Sequence, residues 1–411
     1  MSKLAEAHMR QLLRSMPYNI LHVIPYMHPS TGGPPVVVEN FVAEAGRLGH
    51  SSEILSTTKY CRGDERSLKA RLDELAPTTL LTELQTLPFV SRSAGAVIDA
   101  HVRRADLVHV HTLWRPLNIA ARYACLRHDR PYVVMPHGML DPYSLSVKAL
   151  KKSLYLRLFE SRNMARAQRM IYTTSEEERL AALAGLRLPP GEIVPLGART
   201  SSTSTGDLRL RFLLRYPQAE GKRRLLFLGR LHHKKGLDRI LSSLSKVKQA
   251  IPNVLLIVVG TGEPEYEKHI RKFVSALDLD AHVLFTGHLD GELKWASFAA
   301  AELFLLPSRQ ENFAITVAEA MQMGVPVVIT DKVNTWPYVE EAGAGIVLTE
   351  REIDALLPRA MEALLTDDAA RAKMAMQGSR YAREKLTWHA SAQKLLACYN
   401  QVLSGEVRRL V

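Results

Sequence analysis

PSRQENFAITVAEAMQMG, residues 307–324, closes a short apolar run, Leu303 to Leu306, and then opens a helix. The spacing predicts a helix from Ala314 to Met323 that turns Ile315, Ala318 and Met321 to one side, with Gly324 and Pro326 as its stop. A helix that begins at the end of a strand has its N-terminus where ligands sit in an open α/β sheet. The N–H groups of Asn312, Phe313, Ala314 and Ile315 then make a place for an anion such as a diphosphate. Two carboxylates, Glu311 and Glu319, frame the stretch. Acidic residues also stabilise helix N-termini by capping and by the macrodipole, so spacing alone leaves a ligand site and a plain helix cap both open.

Around this stretch the second half of the chain repeats one pattern. Leu225–Leu228, Val254–Val259, Val283–Phe285, Leu303–Leu306, Val327–Ile329 and Ile346–Leu348 are short apolar runs separated by helix-length segments. Near-continuous apolar runs fit strands covered on both faces, and strands alternating with helices mean parallel βαβ units. The first half carries the same pattern at Asn19–Tyr26, Ser52–Thr57, Asp106–Thr112, Tyr132–Met135, Met170–Thr173 and Ile193–Val194. A helix from Val36 to Leu48 ends at Gly49, and a charged helix precedes the first strand. Residues 59–87 are charged and helical in pattern, with little strand signal. Ser/Thr-rich Ala198 to Asp207 has no periodicity and reads as the linker between two domains. Residues 1–198 form the first domain, 199–385 the second, and 386–411 a last helix with Leu395, Leu396, Tyr399, Val402 and Leu403 on its apolar stripe. Two doubly wound domains of this kind place a cleft between them, lined by strand C-termini.

The composition of the 411 residues is that of a globular protein, 46% hydrophobic and 23% charged. No run approaches the ~18 apolar residues of a membrane span, and the N-terminus lacks the apolar core of a signal peptide, which predicts a cytoplasmic protein. Cys61, Cys125 and Cys398 are too far apart for a zinc motif and too few for a disulfide framework. The net charge of +12 calls for an acidic partner. Much of it lies in 146–170, where Lys148, Lys151, Lys152, Arg157, Arg162, Arg166 and Arg169 face a single acid, Glu160. With Val147, Leu150, Leu154 and Leu158 at helical spacing, the segment fits an interfacial helix on anionic lipid; a solvated helix over the core is the other reading.

Other groups with chemistry cluster after strand ends. Arg230, Lys234 and Lys235 in LGRLHHKKGLD, residues 228–238, can bracket a diphosphate, Arg as a bidentate fork and Lys as a point charge. Gly260-Thr261-Gly262 lets a backbone approach a nucleotide, although turns explain most such pairs. There is no full GxGxxG and no GxxxxGK, which weighs against hydride transfer and P-loop chemistry. Asp278-Leu279-Asp280 and the pair His109, His111 have ligand-like spacing. The first falls at a helix end, and the second fits buried, hydrogen-bonded strand histidines, so no metal is expected. Asp141 faces either an acceptor or a surface turn, and Trp114 and Trp336 are sugar platforms or core.

Taken together, LGRLHHKKGLD, Gly260 to Glu263, and ENFAITVAEAM followed by GVPVVITD resemble the donor half of glycosyltransferase family 4, retaining enzymes of GT-B fold. STGGPP, residues 30–35, and Pro136-His137-Gly138-Met139-Leu140 resemble that family's first-domain loops. The resemblance implies that Glu311 and Glu319 are its paired acids, Glu319 on the ribose and Glu311 against the transferred sugar. Arg230 and Lys235 hold the diphosphate, with helix N–H groups rather than a metal. Gly32 and Gly33 approach it, and His137 lies by the donor sugar. With Glu319 inside the helix and Glu311 before it, eight residues at a rise of ~1.5 Å, about 12 Å, would let the two acids reach two parts of one nucleotide-sugar. Of the Asn-Gly common after the last strand of the first domain, only Gly197 carries over, and Ala314 stands where glycine is common. The expected activity is metal-independent, retaining transfer of a hexose from a UDP- or GDP-sugar to a glycan or lipid-linked acceptor in polysaccharide synthesis. The enzyme would be cytoplasmic, with a peripheral hold on the inner membrane face. A nucleotide-sugar epimerase on the same architecture is the alternative; a nucleic-acid binder lacks any aromatic-interleaved basic motif.

Overall fold

The computed structural model describes residues 17–61, 63–82 and 90–405. The chain forms two units, Met1–Leu196 with Trp388–Val411, and Gly197–Thr387. The charged segment expected as an N-terminal helix, and Glu83 to Phe89, lie outside the described residues.

In the first unit β1 (Asn19–Val23), β2 (Ser51–Thr57), β3 (Thr78–Leu81), β4 (Leu107–His111), β5 (Tyr132–Met135), β6 (Arg169–Tyr172) and β7 (Gly191–Ile193) form one sheet in the order β3-β2-β1-β4-β5-β6-β7. In the second, β8 (Arg223–Leu228), β9 (Val254–Val259), β10 (Val283–Gly287), β11 (Leu303–Leu306), β12 (Val327–Thr330) and β13 (Gly345–Leu348) follow the order β10-β9-β8-β11-β12-β13. All pairings are parallel. The order reverses between β1 and β4 in one sheet and between β8 and β11 in the other, and crevices for ligands open at such reversals. Central β4, β9 and β11 are buried along their whole length, as their apolar runs require, whereas edge strand β10 is half-exposed throughout.

The last helix, Trp388–Leu403, belongs to the first unit. Its Trp388 meets Phe41 of the helix Gly33–Arg47 edge-on at 5.8 Å, and Ser391 Oγ donates to the carbonyl of Pro195 at 2.5 Å. Leu395, Leu396, Tyr399 and Val402 are buried as the stripe predicts, whereas Leu403, at the helix end, is half-exposed.

Three expectations need correction. Residues 59–82 hold a strand, β3, as well as the helix Glu65–Asp73; an edge strand of two threonines and two leucines carries too weak an apolar signal to read. The basic segment is not one helix over 146–170. Lys148 in the left-handed region breaks it, Ala149–Tyr155 passes into a π-helical turn at Leu156–Glu160 and then Ser161–Ala165, and Arg169 and Met170 belong to β6. The π turn accompanies a fully buried ion pair, Arg122 with Glu160, whose other oxygen accepts the N–H of Trp114 at 3.0 Å. Finally, the helix after β11 is Ile315–Gln322, and it is buried on all sides from Val317 onward instead of along one stripe, because helix Asp368–Lys385 packs over it.

Candidate active site

The loops after β8 and β11 meet at the reversal point of the second sheet. Their closeness rests on glycine. A Cβ on Gly236, whose φ is +74°, would stand 2.1 Å from the carbonyl oxygen of Pro307. Equivalent additions at Gly260 and Gly262 would meet the oxygens of Gly229 at 2.0 Å and Leu231 at 2.1 Å. The loops after β8, β9 and β11 therefore pack backbone on backbone, tied by Arg309 N–H to Lys234 O at 2.7 Å and Leu231 N–H to Thr261 O at 2.9 Å. The Gly260 N–H donates to Gly287 O and the Gly262 N–H to Glu267 Oε1, so the close approach at these two glycines is to neighbouring protein.

On this platform Lys235 pairs with Glu311 across the reversal point. Glu311 is not in the helix: it forms an isolated bridge with Val333, so helical rise does not measure its distance from Glu319. Arg230 is exposed at the start of the loop after β8, and Arg309 holds Asp238 with two bonds, of 2.9 and 2.6 Å. Phe313 and Ala314 are buried, Asn312 and Ile315 half-buried, and no side chain caps the helix that follows.

Ala314 takes φ +52° and ψ +70°, a left-handed conformation that costs a non-glycine residue about 1–2 kcal/mol. The strain explains why glycine suits this place. Ala314→Gly is expected to stabilise the second unit by about 1 kcal/mol, raising its calorimetric midpoint by about 2–4 °C. A midpoint that stays put or falls would contradict the assignment of strain.

Glu319 is only 4% exposed. Its Oε1 takes the ammonium of Lys294 at 2.5 Å, while Oε2 is buried with no partner among the described residues. Burial raises its pKa, opposed by Lys294 and then Arg199. A buried carboxylate oxygen without a donor is costly, and it is an acceptor held ready for one. Lys294, which also lies 4.8 Å from the Trp295 ring centre, carries no sequence signal that sets it apart from a surface lysine.

In the first unit the loops after β4 and β5 are also strained. Thr112, Trp114 and His137 have φ of +65°, +70° and +52°. Buried Glu177, unremarked in the sequence, pins the turn: one oxygen accepts the Gly138 N–H at 2.6 Å, and the other accepts the N–H and hydroxyl of Thr173, each at 2.7 Å. His137 is half-buried, with Nε2 3.1 Å from Nδ1 of His111. His109 and His111 are fully buried, and with His22 they bring ring nitrogens within 4.8 Å of one another. Burial lowers the pKa of all four rings. Gly32, with φ +102°, and Gly33 start the helix Gly33–Arg47 in open space, and Gly197 begins the second unit. Asp141 caps the short helix Pro142–Ser146, accepting from Tyr143 N–H at 2.7 Å. Asp278 pairs with Lys248, and Asp280 accepts from Ser275.

Two family models divide the chain between them. Residues 32–197 match the glycosyl transferase 4-like domain, and residues 215–384 match glycosyl transferases group 1. The chain belongs to glycosyltransferase family 4. It is similar to the GDP-mannose-dependent alpha-(1-6)-phosphatidylinositol monomannoside mannosyltransferase of Mycobacterium tuberculosis, 25% identical over 73% of this chain and 79% of the relative. It is also similar to the GDP-mannose:cellobiosyl-diphosphopolyprenol alpha-mannosyltransferase of Xanthomonas oryzae, 25% identical over 82% and 84%. Among solved structures, Anabaena HepE in complex with UDP and glucose aligns with a TM-score of 0.76, 19% identity, and coverage of 93% of this chain and all of that one. As a glycosyltransferase of GT-B type, the chain has Lys235, Glu311 and Glu319 inside the group 1 match and His137 inside the 4-like match.

Proposed function

We propose that the protein transfers a hexose, with retention and without a metal, from a nucleotide-diphosphate sugar to a lipid-linked acceptor in surface polysaccharide or glycolipid synthesis. The observation that carries the donor reading is the buried, unpartnered Oε2 of Glu319 on the helix whose uncapped N-terminus adjoins the Lys235–Glu311 pair. Ribose hydroxyls would satisfy that oxygen. Arg230, Lys235 and the N–H groups at the start of the helix would take the charge that develops on the leaving diphosphate, the largest expected catalytic term. His137 is the first unit's polar group for the sugar. The names of the two relatives make GDP-mannose the first donor to try and a phosphatidylinositol or diphosphopolyprenol glycan the first acceptor.

A thermal-shift panel of GDP, UDP, ADP and their sugars tests this directly, because a ligand at 100 times its Kd stabilises by about 2.7 kcal/mol. One nucleotide should raise the midpoint, its sugar should be consumed only when an acceptor is present, and EDTA should leave the rate unchanged. Loss of activity in EDTA that Mg²⁺ or Mn²⁺ restores would defeat the metal-free reading.

The acceptor points to a membrane surface. Leu150, Leu154 and Leu158 are 90%, 59% and 55% exposed beside Lys148, Lys151 and Arg157, and among the described residues no helix is long and apolar enough to cross a membrane. Exposed leucines interleaved with cations fit peripheral binding to anionic lipid on the inner face of the membrane. The protein should float with vesicles containing phosphatidylglycerol and remain at the bottom with neutral ones; equal flotation on both would remove the claim.

A further inference from the structure

Three histidines from three parallel strands or their ends form a continuous chain. His22 Nδ1 of β1 lies 3.0 Å from Nε2 of His111 on β4, and His111 Nδ1 lies 3.1 Å from Nε2 of His137 beyond β5. A neutral imidazole has one N–H and one lone pair, so each nitrogen-to-nitrogen link holds a single proton. With both nitrogens of His111 engaged, the link it makes on one side fixes the sense of the other. If His111 accepts at Nδ1, it donates at Nε2, and His137 then offers a lone pair at its Nδ1. If the chain runs the other way, His137 offers an N–H there. Nε2 being spent on His111, Nδ1 is the nitrogen left to a ligand.

We propose that His111, backed by His22, is a positioning residue that sets the tautomer and ring orientation of His137, so that one fixed hydrogen-bonding character faces the sugar. The inference rests on the donor-site reading above for its consequence, but not for its geometry. The surroundings suit the role. His22 and His111 are buried, and burial without a carboxylate in the chain keeps the rings uncharged. The backbone of His137 is held in its left-handed conformation by Glu177 through Gly138, leaving the ring bond to His111 to settle χ. His109 stands beside the chain rather than in it: its ring stacks on His111 at 3.9 Å, and its Nδ1 is bonded to the Tyr399 hydroxyl at 2.5 Å. Stacked rings and mutually bonded nitrogens make a hydrogen-bonded chain, whereas a chelate would have three lone pairs converging on one point.

Two substitutions separate the links. The amide of His111→Asn falls where Nδ1 was and can still bond His137, whereas that of His111→Gln falls where Nε2 was and can bond only His22. His111→Gln is expected to lower kcat about 10- to 100-fold with donor KM within about threefold, and His111→Asn to recover most of the loss. Equal rates in the two variants, or a full rate in both, overturn the proposal. The activity-independent readout is long-range ¹H–¹⁵N correlation in ¹⁵N-histidine protein. His137 should show one neutral tautomer in the parent, replaced by a mixture or the other form in His111→Gln; His111→Asn, whose amide can donate or accept, restores a bonded ring without fixing the sense. An unchanged pattern in all three overturns it. So does about one equivalent of bound metal in the purified protein that His22→Gln abolishes, since a ligated nitrogen cannot carry the linking proton. If the parent transfers no sugar at all, the functional reading fails while the tautomer pattern still decides the chain.

Discussion

Lys235→Ala is expected to lower the turnover of sugar transfer about 10²–10³-fold, the usual cost of removing one group that stabilises charge on a leaving atom. The ammonium pairs with Glu311, so its removal does two things at once. It takes a cation from beside the start of the Ile315–Gln322 helix, and it leaves the Glu311 carboxylate uncompensated where a diphosphate must depart. The fold should survive, because Gly236, the Arg309–Asp238 pair and the Arg309 N–H bond to Lys234 hold the loop without the side chain. Adding Glu311→Gln should relieve the repulsion without restoring the rate. Initial-rate kinetics with a matched thermal midpoint make the test, and near-normal turnover in Lys235→Ala would sink the role.

Glu319→Ala is expected to act on binding instead. Hydrogen bonds to a charged acceptor are worth about 1.5–3 kcal/mol, so losing one or two ribose hydroxyl bonds weakens the donor on the order of 10²-fold. The discriminating ligand is a 2′,3′-dideoxy nucleotide diphosphate. It should bind parent and variant alike, since neither can make the bond, whereas the ribose nucleotide should separate them. Because Lys294 loses its partner in Glu319→Ala, Glu319→Gln serves as the second variant and keeps a hydrogen-bonding group beside the ammonium. If both variants bind the ribose nucleotide as tightly as the parent, Glu319 is not the ribose acceptor.

The features that were legible in the sequence are those with a local signature. The buried strands announce themselves as apolar runs because both their faces are covered, and the Leu303–Leu306 strand with its following helix lies within a residue of where the spacing puts it. What spacing could not give is anything that depends on a partner far along the chain. Glu177 reads as one of three glutamates opening a helix, and only the fold shows it beneath Gly138. Lys294 reads as a surface lysine until β8 and β11 bring its helix to Glu319. The glycines of Gly260-Thr261-Gly262 suggest a ligand by type, but their space is taken by the neighbouring loop. His22 carries no sequence signal, since a lone histidine in VIPY-flanked apolar sequence shows nothing of its bond to His111 across the sheet.

The position of the Trp388–Leu403 helix governs how the polypeptide matures. Its Trp388, Leu395 and Tyr399 complete the interior over Phe41 and His109, which lie about 300 residues earlier in the chain and fold in the same unit. The second unit is continuous in sequence and closes from its own residues, whereas the first needs a helix from the far end of the chain. The half that is translated first is finished last, and a chain cut at Thr387 would carry a complete second unit beside a first unit with an open core.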